Sequence, residues 1–396
     1  MVLLGAGHAH VEVLRRFAKH PLRASTLTLV TPERLAPYTG LAHAVISGRI
    51  NGATASIDAS RLAAAAKASF ITGHAEEIDR ASKTITLSDK TRLSYDILSV
   101  DIGGVVTPWF DVPDGGPRVV GAKPASHLFS TIIDVFNEKR YPTVVVVGGG
   151  LGGIEIAAAL KSRGAEVTLL TGKRGVAPNI HKKARKKISG RLSNLGINIV
   201  TKTKLTGVDR PRDPTGQDQT RSLAILENGK ELIADLVVLA TGVSSPPLFS
   251  SIPELLDHEG FLKINAYLAS AVDGSIFAAG DCASLPLNDN QTRAPKAGVY
   301  AVKAGPTLAH NIRAAAEGRK FKWFDPPNHV LAITSLQSKG AIASKNRFVA
   351  GNPLLPSIKS LIDRRFIARH SIARHSIPRH SLGANKEKQP NTSVSK

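Results

Sequence analysis

Two stretches of this chain each set an apolar run, a glycine-rich turn and a helix-patterned segment in direct succession: "VLLGAGHAHVEVLRRF" at 2–17 and "TVVVVGGGLGGIEIAAAL" at 143–160. A short apolar run without alternation, bounded by glycine, reads as a strand buried on both faces. Strand, tight turn and returning helix open a β-α-β unit, and the first amides of such a helix point, unpaired, at whatever sits in the turn. One such motif is a weak signal. Two in one chain restrict it to an α/β protein with two parallel-sheet nucleotide-binding domains.

The remaining patterns extend both units. "STLTLV" (25–30), "RLAAAAKA" (61–68) and "SFITGHAEEID" (69–79) continue the first, and "AEVTLLTG" (165–172) the second. "LSYDILSVDIGGVVTP" (93–108) and "IADLVVLATGVSSPP" (233–247) each run from strand to small residues to proline, as a chain does on leaving a sheet. "GSIFAAGDCASLP" (274–286) is a further strand ending in Gly-Asp, ahead of a long helical segment at 294–318.

Composition narrows the chemistry. With 396 residues and 42% hydrophobic content the chain can bury a substantial core. The single cysteine, Cys282, excludes an intrachain disulfide and a C-x-x-C redox pair. The most apolar stretch, 144–160, is broken by glycines and carries Glu155, so no membrane span is expected, and with a strand reading from residue 2 no targeting peptide is expected ahead of it. The net charge of +21 favours anionic ligands or surfaces, and 359–396 alone holds nine Lys/Arg against two acids.

In the second turn Gly148, Gly150 and Gly153 satisfy G-x-G-x-x-G: the first for the tight turn, the second for close approach of a pyrophosphate, the third for helix-on-strand packing. After the next strand, where an acid would hold the ribose of NAD(H), stand Leu170-Thr171-Gly172-Lys173-Arg174. Either these cations accept the 2′-phosphate of NADP(H) or they are a solvated loop. In the first turn Gly5 and Gly7 are intact, but His10 takes the third glycine's place and should hold helix and strand slightly apart. A metal site on His8 and His10 lacks further ligands; the histidines instead line the loop or touch cofactor or substrate. Glu33, in Thr31-Pro32-Glu33-Arg34, is the candidate for the adenosine ribose.

Together these features resemble the FAD-dependent pyridine nucleotide-disulfide oxidoreductase superfamily: "GAGHAH" for FAD, "GGGLGG" for NAD(P)H, the connecting phrases "VDIGG" and "LATGV", and "FAAGDCA". More narrowly, "LLGAGHAHVEVLRRF", "LTLVTPERLAPYTGL", "YDILSVDIGG", "PKAGVYAVKAGPTLAHNIR" and "SLIDRRF" resemble the NADH dehydrogenase-like flavoprotein domain found ahead of selenide, water dikinase, in which a histidine at the third glycine position is normal. No kinase domain follows in this sequence. The resemblance implies a glutathione-reductase-like arrangement: an FAD-binding domain at 1–110 and 251–320, a connection at 111–141, an NAD(P)H-binding domain at 142–250, a C-terminal α+β region at 321–368 and a disordered basic tail at 369–396.

It also implies roles. Asp281 would bind the ribityl chain of FAD, with Gly280 beside it, and Pro37, Tyr38 and Thr39 would pass the flavin ring. Ala75, Asp101 and Gly103 would line the FAD site, and Thr241 and Gly242 the NAD(P)H site. Glu155 either lies near the nicotinamide or serves as a first-turn acid on its helix. Lys296 and Lys303 either place positive charge near reduced flavin or face solvent. Hydride would pass from NAD(P)H to FAD and the electrons onward to a small acceptor.

Lack of paired cysteines disfavours disulfide reductases and sulfide:quinone oxidoreductases. Type II NADH:quinone oxidoreductases need none, although the two glutamines they carry after Gly-Asp correspond here to Val299 and Lys303. Leu354, Leu355, Ile358, Leu361, Ile362 and Phe366 recur at helical spacing among Lys359, Arg364 and Arg365; this helix either lies on an anionic membrane or packs on the body. The tail has no aromatic residue for base stacking, so no specific nucleic-acid partner is expected. The expected location is cytoplasmic or membrane-peripheral, with oligomeric state open. The competing reading is a non-catalytic nucleotide sensor that docks a partner through its basic tail.

Overall fold

Both apolar runs become central strands. In the computed structural model, which describes residues 1–371 other than 24, 114–116, 212–220, 288–291, 338, 339 and 353, Val2–Leu4 sits third in a five-stranded parallel sheet ordered 276–278, 98–100, 2–4, 28–31, 69–72. Thr143–Val147 takes the same place in a second parallel sheet, ordered 119–121, 236–239, 143–147, 166–170, 198–200. The two sheets share one plan, and in each the strand order reverses beside the glycine turn. That reversal opens a crevice at the carboxyl ends of the strands.

Helix α1 (His8–Lys19) follows the first turn and buries Val11, Leu14 and Phe17 against the first sheet. Helix α2 (Leu151–Arg163) follows the second turn and ends at Gly164 with φ +111°, a left-handed cap that suits glycine. Helix α3 (Gly298–Ala316) lies along α1 so closely that a Cβ on Gly305 would stand 2.8 Å from Cβ of Glu12. Small residues on α3 permit that approach, and Leu3, Leu14, Leu98, Phe277 and Leu308 are fully enclosed in one core. Each such side chain contributes about 1.5–3 kcal/mol of burial.

Beyond α3 the chain forms an antiparallel sheet (332–337, 340–345, 348–351), whose Leu336 and Ile342 enter the core of the second unit. Helix α4 (Leu355–His370) then returns to the first unit. Order therefore extends beyond 368, where the tail was expected to begin: Arg369 completes the last turn of α4, and His370 is 3% exposed because it docks on Glu12. The rest of the expected tail, from 372, lies outside the described residues. Among the described residues no helix is long and apolar enough to cross a membrane.

Candidate active site

At the first turn Gly5 has φ +89°, and a Cβ there would stand 2.5 Å from the Asp101 carbonyl oxygen. A Cβ on Gly7 would stand 2.3 Å from the Asp101 carboxylate, whose Oδ2 accepts from the amides of Ala9 (2.8 Å) and His10 (3.0 Å). Asp101 thus caps α1 from the end of the strand at 98–100. Burial pushes its carboxyl up to about 7, against the two amide bonds, which favour the charged form.

His10 is wholly enclosed, with Nδ1 2.6 Å from the Gly5 carbonyl and Nε2 2.8 Å from Ser99 Oγ. Burial lowers the imidazole to about 4, so the ring is neutral near pH 7. A carbonyl can only accept, so Nδ1 carries the hydrogen and Nε2 accepts from Ser99. Of the two alternatives for this residue, the bonds to Gly5 and Ser99 favour a ring that lines the turn, since both its nitrogens have partners inside the fold. At the matching place in the second turn a Cβ on Gly153 would stand 2.2 Å from the Gly148 carbonyl. An imidazole fits the first turn only because helix and turn lie further apart there.

The Gly-Asp turn sits directly beneath. Gly280 (φ +75°) abuts the Asp101 carboxylate, and Asp281 forms an ion pair with Lys123, a residue no sequence pattern singled out. Cys282 is fully buried, its thiol pushed up to about 12, chiefly by burial, so it packs and does not react. Lys296 donates to the Ala283 carbonyl (2.7 Å) and lies 3.4 Å over the Phe261 ring, beside Gly280 and Asp281 in a small cavity. Lys303 is exposed on α3. Gly298, at the start of α3, faces Thr39 Oγ1 and the His8 ring, so α3, the 37–39 loop and the first turn converge. Glu33 is exposed in the loop just past the strand at 28–31, and Ala75 is half-buried at the start of another strand.

A second cluster forms where α2, the 37–40 loop and α4 meet. Tyr38 stacks on Phe366 (4.4 Å between centroids, 17° between planes), meets His8 edge-on and donates from its hydroxyl to Asp363 Oδ1 (3.1 Å). Lys359 reaches the Gly40 carbonyl (3.0 Å) and Asp363 (3.4 Å). Glu155 accepts from the Ser335 amide (2.7 Å), so it faces this junction, and it is not an acid of the first turn of α2. Burial raises both carboxyls, Glu155 and Asp363, and the charge of Lys359 opposes that. At the far end of α4, Glu12 accepts from His370 (3.0 Å), Arg15 and Arg16 (both 2.7 Å). Burial works against its charge, but these bonds outweigh it and hold the carboxyl far below the usual range.

Helix α4 satisfies neither alternative in full. It packs through Asp363, Phe366 and His370, while Leu354, Ile358, Leu361 and Ile362 stand outward at 65, 47, 51 and 52% exposure.

The second turn stays open. Gly148 (φ +132°) crosses the Ala240 carbonyl, where a Cβ would approach to 2.2 Å, whereas Cβ atoms on Gly150 and Gly242 would meet nothing within 4 Å. Among the described residues no side chain is bonded to the amides at the start of α2. Beside them lies a cavity of about 300 Å³ reaching from Gly148 and Thr241 to Gly172, Thr203, Lys204 and Trp109.

The two turns fit two dinucleotides. Gly103, at φ +74° with open space where a Cβ would stand, keeps the first crevice clear, and Gly150 and Gly242 do so for the second. The protein-family model for pyridine nucleotide-disulphide oxidoreductases matches residues 1–316. Ferroptosis suppressor protein 1 of Xenopus tropicalis is 27% identical over 278 residues, 68% of this chain and 69% of its own. The NAD-dependent persulfide reductase of A. fulgidus superposes with a TM-score of 0.72 at 24% identity, over 86% of this chain and 63% of that one. The NDH2 of Plasmodium falciparum, solved with NADH, superposes at 0.73 and 13% identity, over 93% of this chain and 96% of its own. The chain belongs to the pyridine nucleotide-disulphide oxidoreductase family and is an NAD(P)H-dependent FAD oxidoreductase.

Proposed function

We propose that this enzyme passes electrons from NAD(P)H through FAD to a quinone-type acceptor met at a membrane surface. The observation that carries the reading is α4: one edge closes on the Tyr38 loop while four aliphatic side chains face outward beside Lys359, Arg364 and Arg365. A helix of that kind suits the boundary of an anionic bilayer, where apolar quinones dissolve. A single buried cysteine supports an acceptor that needs no dithiol relay.

Bound FAD supplies the two-electron relay between nicotinamide and acceptor. The chain's own residues would do the rest. Gly5, Gly7 and the start of α1 would seat the FAD pyrophosphate, Asp281 the ribityl chain, and Pro37, Tyr38 and Thr39 one side of the flavin. Gly148, Gly150, Gly153, Thr241 and Gly242 would seat the nicotinamide nucleotide. A quinone takes up two protons with its two electrons, and Asp363 and Glu155, whose carboxyls burial raises, would be the proton-exchanging groups at the junction. Tyr38 Oη, bonded to Asp363 Oδ1, extends that path toward the flavin loop.

The test is reoxidation of the anaerobically reduced enzyme by a short-chain quinone, with and without vesicles containing an anionic lipid. The reading expects fast reoxidation by quinone and co-sedimentation with vesicles that weakens as salt is raised. Reoxidation by oxygen alone, with quinone inert, would refute it.

A further inference from the structure

The second crevice says more about its nucleotide than the glycine turn does. We propose that the enzyme selects NADPH over NADH, with Lys204 as a specificity-determining residue acting together with Lys173 and Arg174, and with Trp109 as the platform for the adenine. This deepens the NAD(P)H-dependent activity by naming the nucleotide.

The cavity beside Gly148 lies at the carboxyl edge of the second sheet, where the adenosine end of a dinucleotide falls once its pyrophosphate is in the turn. Selection of NADH there needs an acid to accept from the ribose hydroxyls. After Leu170 the chain places Gly172, which leaves open space, and then Lys173 and Arg174, both exposed. A third cation, Lys204, comes from a different loop and lines the cavity itself, and none of the lining residues among those described is acidic. Lys204 on the cavity wall and the exposed Lys173 and Arg174, which directly follow the lining residue Gly172, give a basic surround that fits a phosphate dianion and presents no carboxylate to a bare ribose hydroxyl.

Two further observations point to the base. Trp109 arrives from the segment that leaves the first unit and remains 51% exposed, although it is fixed in place: its Nε1–H donates to the Leu205 carbonyl (3.1 Å) and its ring meets Phe110 edge-on at 5.3 Å and 86°. A large aromatic held rigid with one face on a cavity is a platform for a purine ring. Thr203 lines the same cavity at 4% exposure, and its Oγ1 has no partner among the described residues. A buried hydroxyl of that kind calls for a hydrogen bond, which an adenine edge can supply.

Trp109 and Trp323 are the only tryptophans in the sequence, so Trp323→Phe leaves Trp109 as a single indole reporter. The FAD-loaded Trp323→Phe enzyme is titrated with 2′,5′-ADP and with 5′-ADP, read by indole fluorescence and by calorimetry. The expected result is quenching by both, with 2′,5′-ADP binding about tenfold or more tightly, a preference that falls with ionic strength. Combined Lys173→Ala, Arg174→Ala and Lys204→Ala should bring the two probes to within about twofold of one another, since each substitution removes a phosphate contact. Trp109→Ala should weaken both probes by the same factor at unchanged FAD content, and Trp109→Phe should restore much of the loss. Equal affinities, or a preference for 5′-ADP, overturn the selectivity while leaving the oxidoreductase intact. Absence of binding by either probe overturns nucleotide occupancy of this crevice altogether.

Discussion

The two glycine turns are built from one plan and differ in charge. In the second, no side chain among the described residues caps the first amides of α2, which lie beside open space; in the first, Asp101 already accepts from the corresponding amides of α1, and His10 fills the place of the third glycine. An uncapped helix start is ready for an anion that arrives and leaves at each turnover. A start already holding a carboxyl must accommodate its anion together with a proton, which suits a cofactor that stays. The same motif thus serves a substrate site in one unit and a resident-cofactor site in the other.

Substitution in the second turn should separate the two most sharply. Gly148→Ala forces a Cβ to 2.2 Å from the Ala240 carbonyl at a φ of +132°. Displacement of the bound nucleotide by about 1 Å should slow nicotinamide-driven flavin reduction about a hundredfold, followed by stopped-flow absorbance, at unchanged flavin content. Equal loss of flavin and of reduction rate would erase the distinction between the turns.

Asp101 gives the next largest effect. Its folded carboxyl titrates at about 7, above the ordinary carboxylate range, so its stabilising contribution is complete below about 4 and is lost as pH rises through about 7. A nearby pyrophosphate favours the protonated form further. FAD affinity, measured by equilibrium dialysis between pH 6 and 9, should therefore weaken above about 7 by up to about tenfold per pH unit. Asp101→Asn should flatten that dependence, and an unchanged slope would show that the proton is taken up elsewhere.

A smaller and purely structural loss is expected from His10→Ala. It leaves the Gly5 carbonyl and the Ser99 hydroxyl without their ring partner and should cost about 1–3 kcal/mol in chemical denaturation, with the flavin spectrum unchanged. A shifted flavin potential at unchanged stability would place the histidine at the cofactor after all.

Much of this was legible in the sequence because it is local. The turns, their helices and the Gly-Asp strand each occupy a few consecutive residues, and Gly5 and Gly148 sit where the backbone crosses the carbonyl of Asp101 or Ala240. What escaped is held by pairs far apart in the chain: Lys123 with Asp281, Tyr38 with Asp363, and Glu12 with His370, separated by 358 positions. Local pattern also left His10 open between lining the turn and touching ligand, and only Ser99 on the neighbouring strand shows where its ring goes. Helical spacing identified α4 but not its orientation, because Asp363 and His370 are buried against partners while Leu354, Ile358, Leu361 and Ile362 are left outside. Trp109 gave no signal at all; it matters through a cavity made by loops from separate elements.

The most direct measurement is anaerobic titration of the FAD-loaded protein with NADPH and with NADH, following flavin absorbance. One equivalent of NADPH should bleach the flavin fully, NADH should do so only at higher concentration, and added quinone should restore the oxidised spectrum. A protein that holds FAD yet keeps its colour under excess of both nucleotides would contradict electron transfer between the two turns.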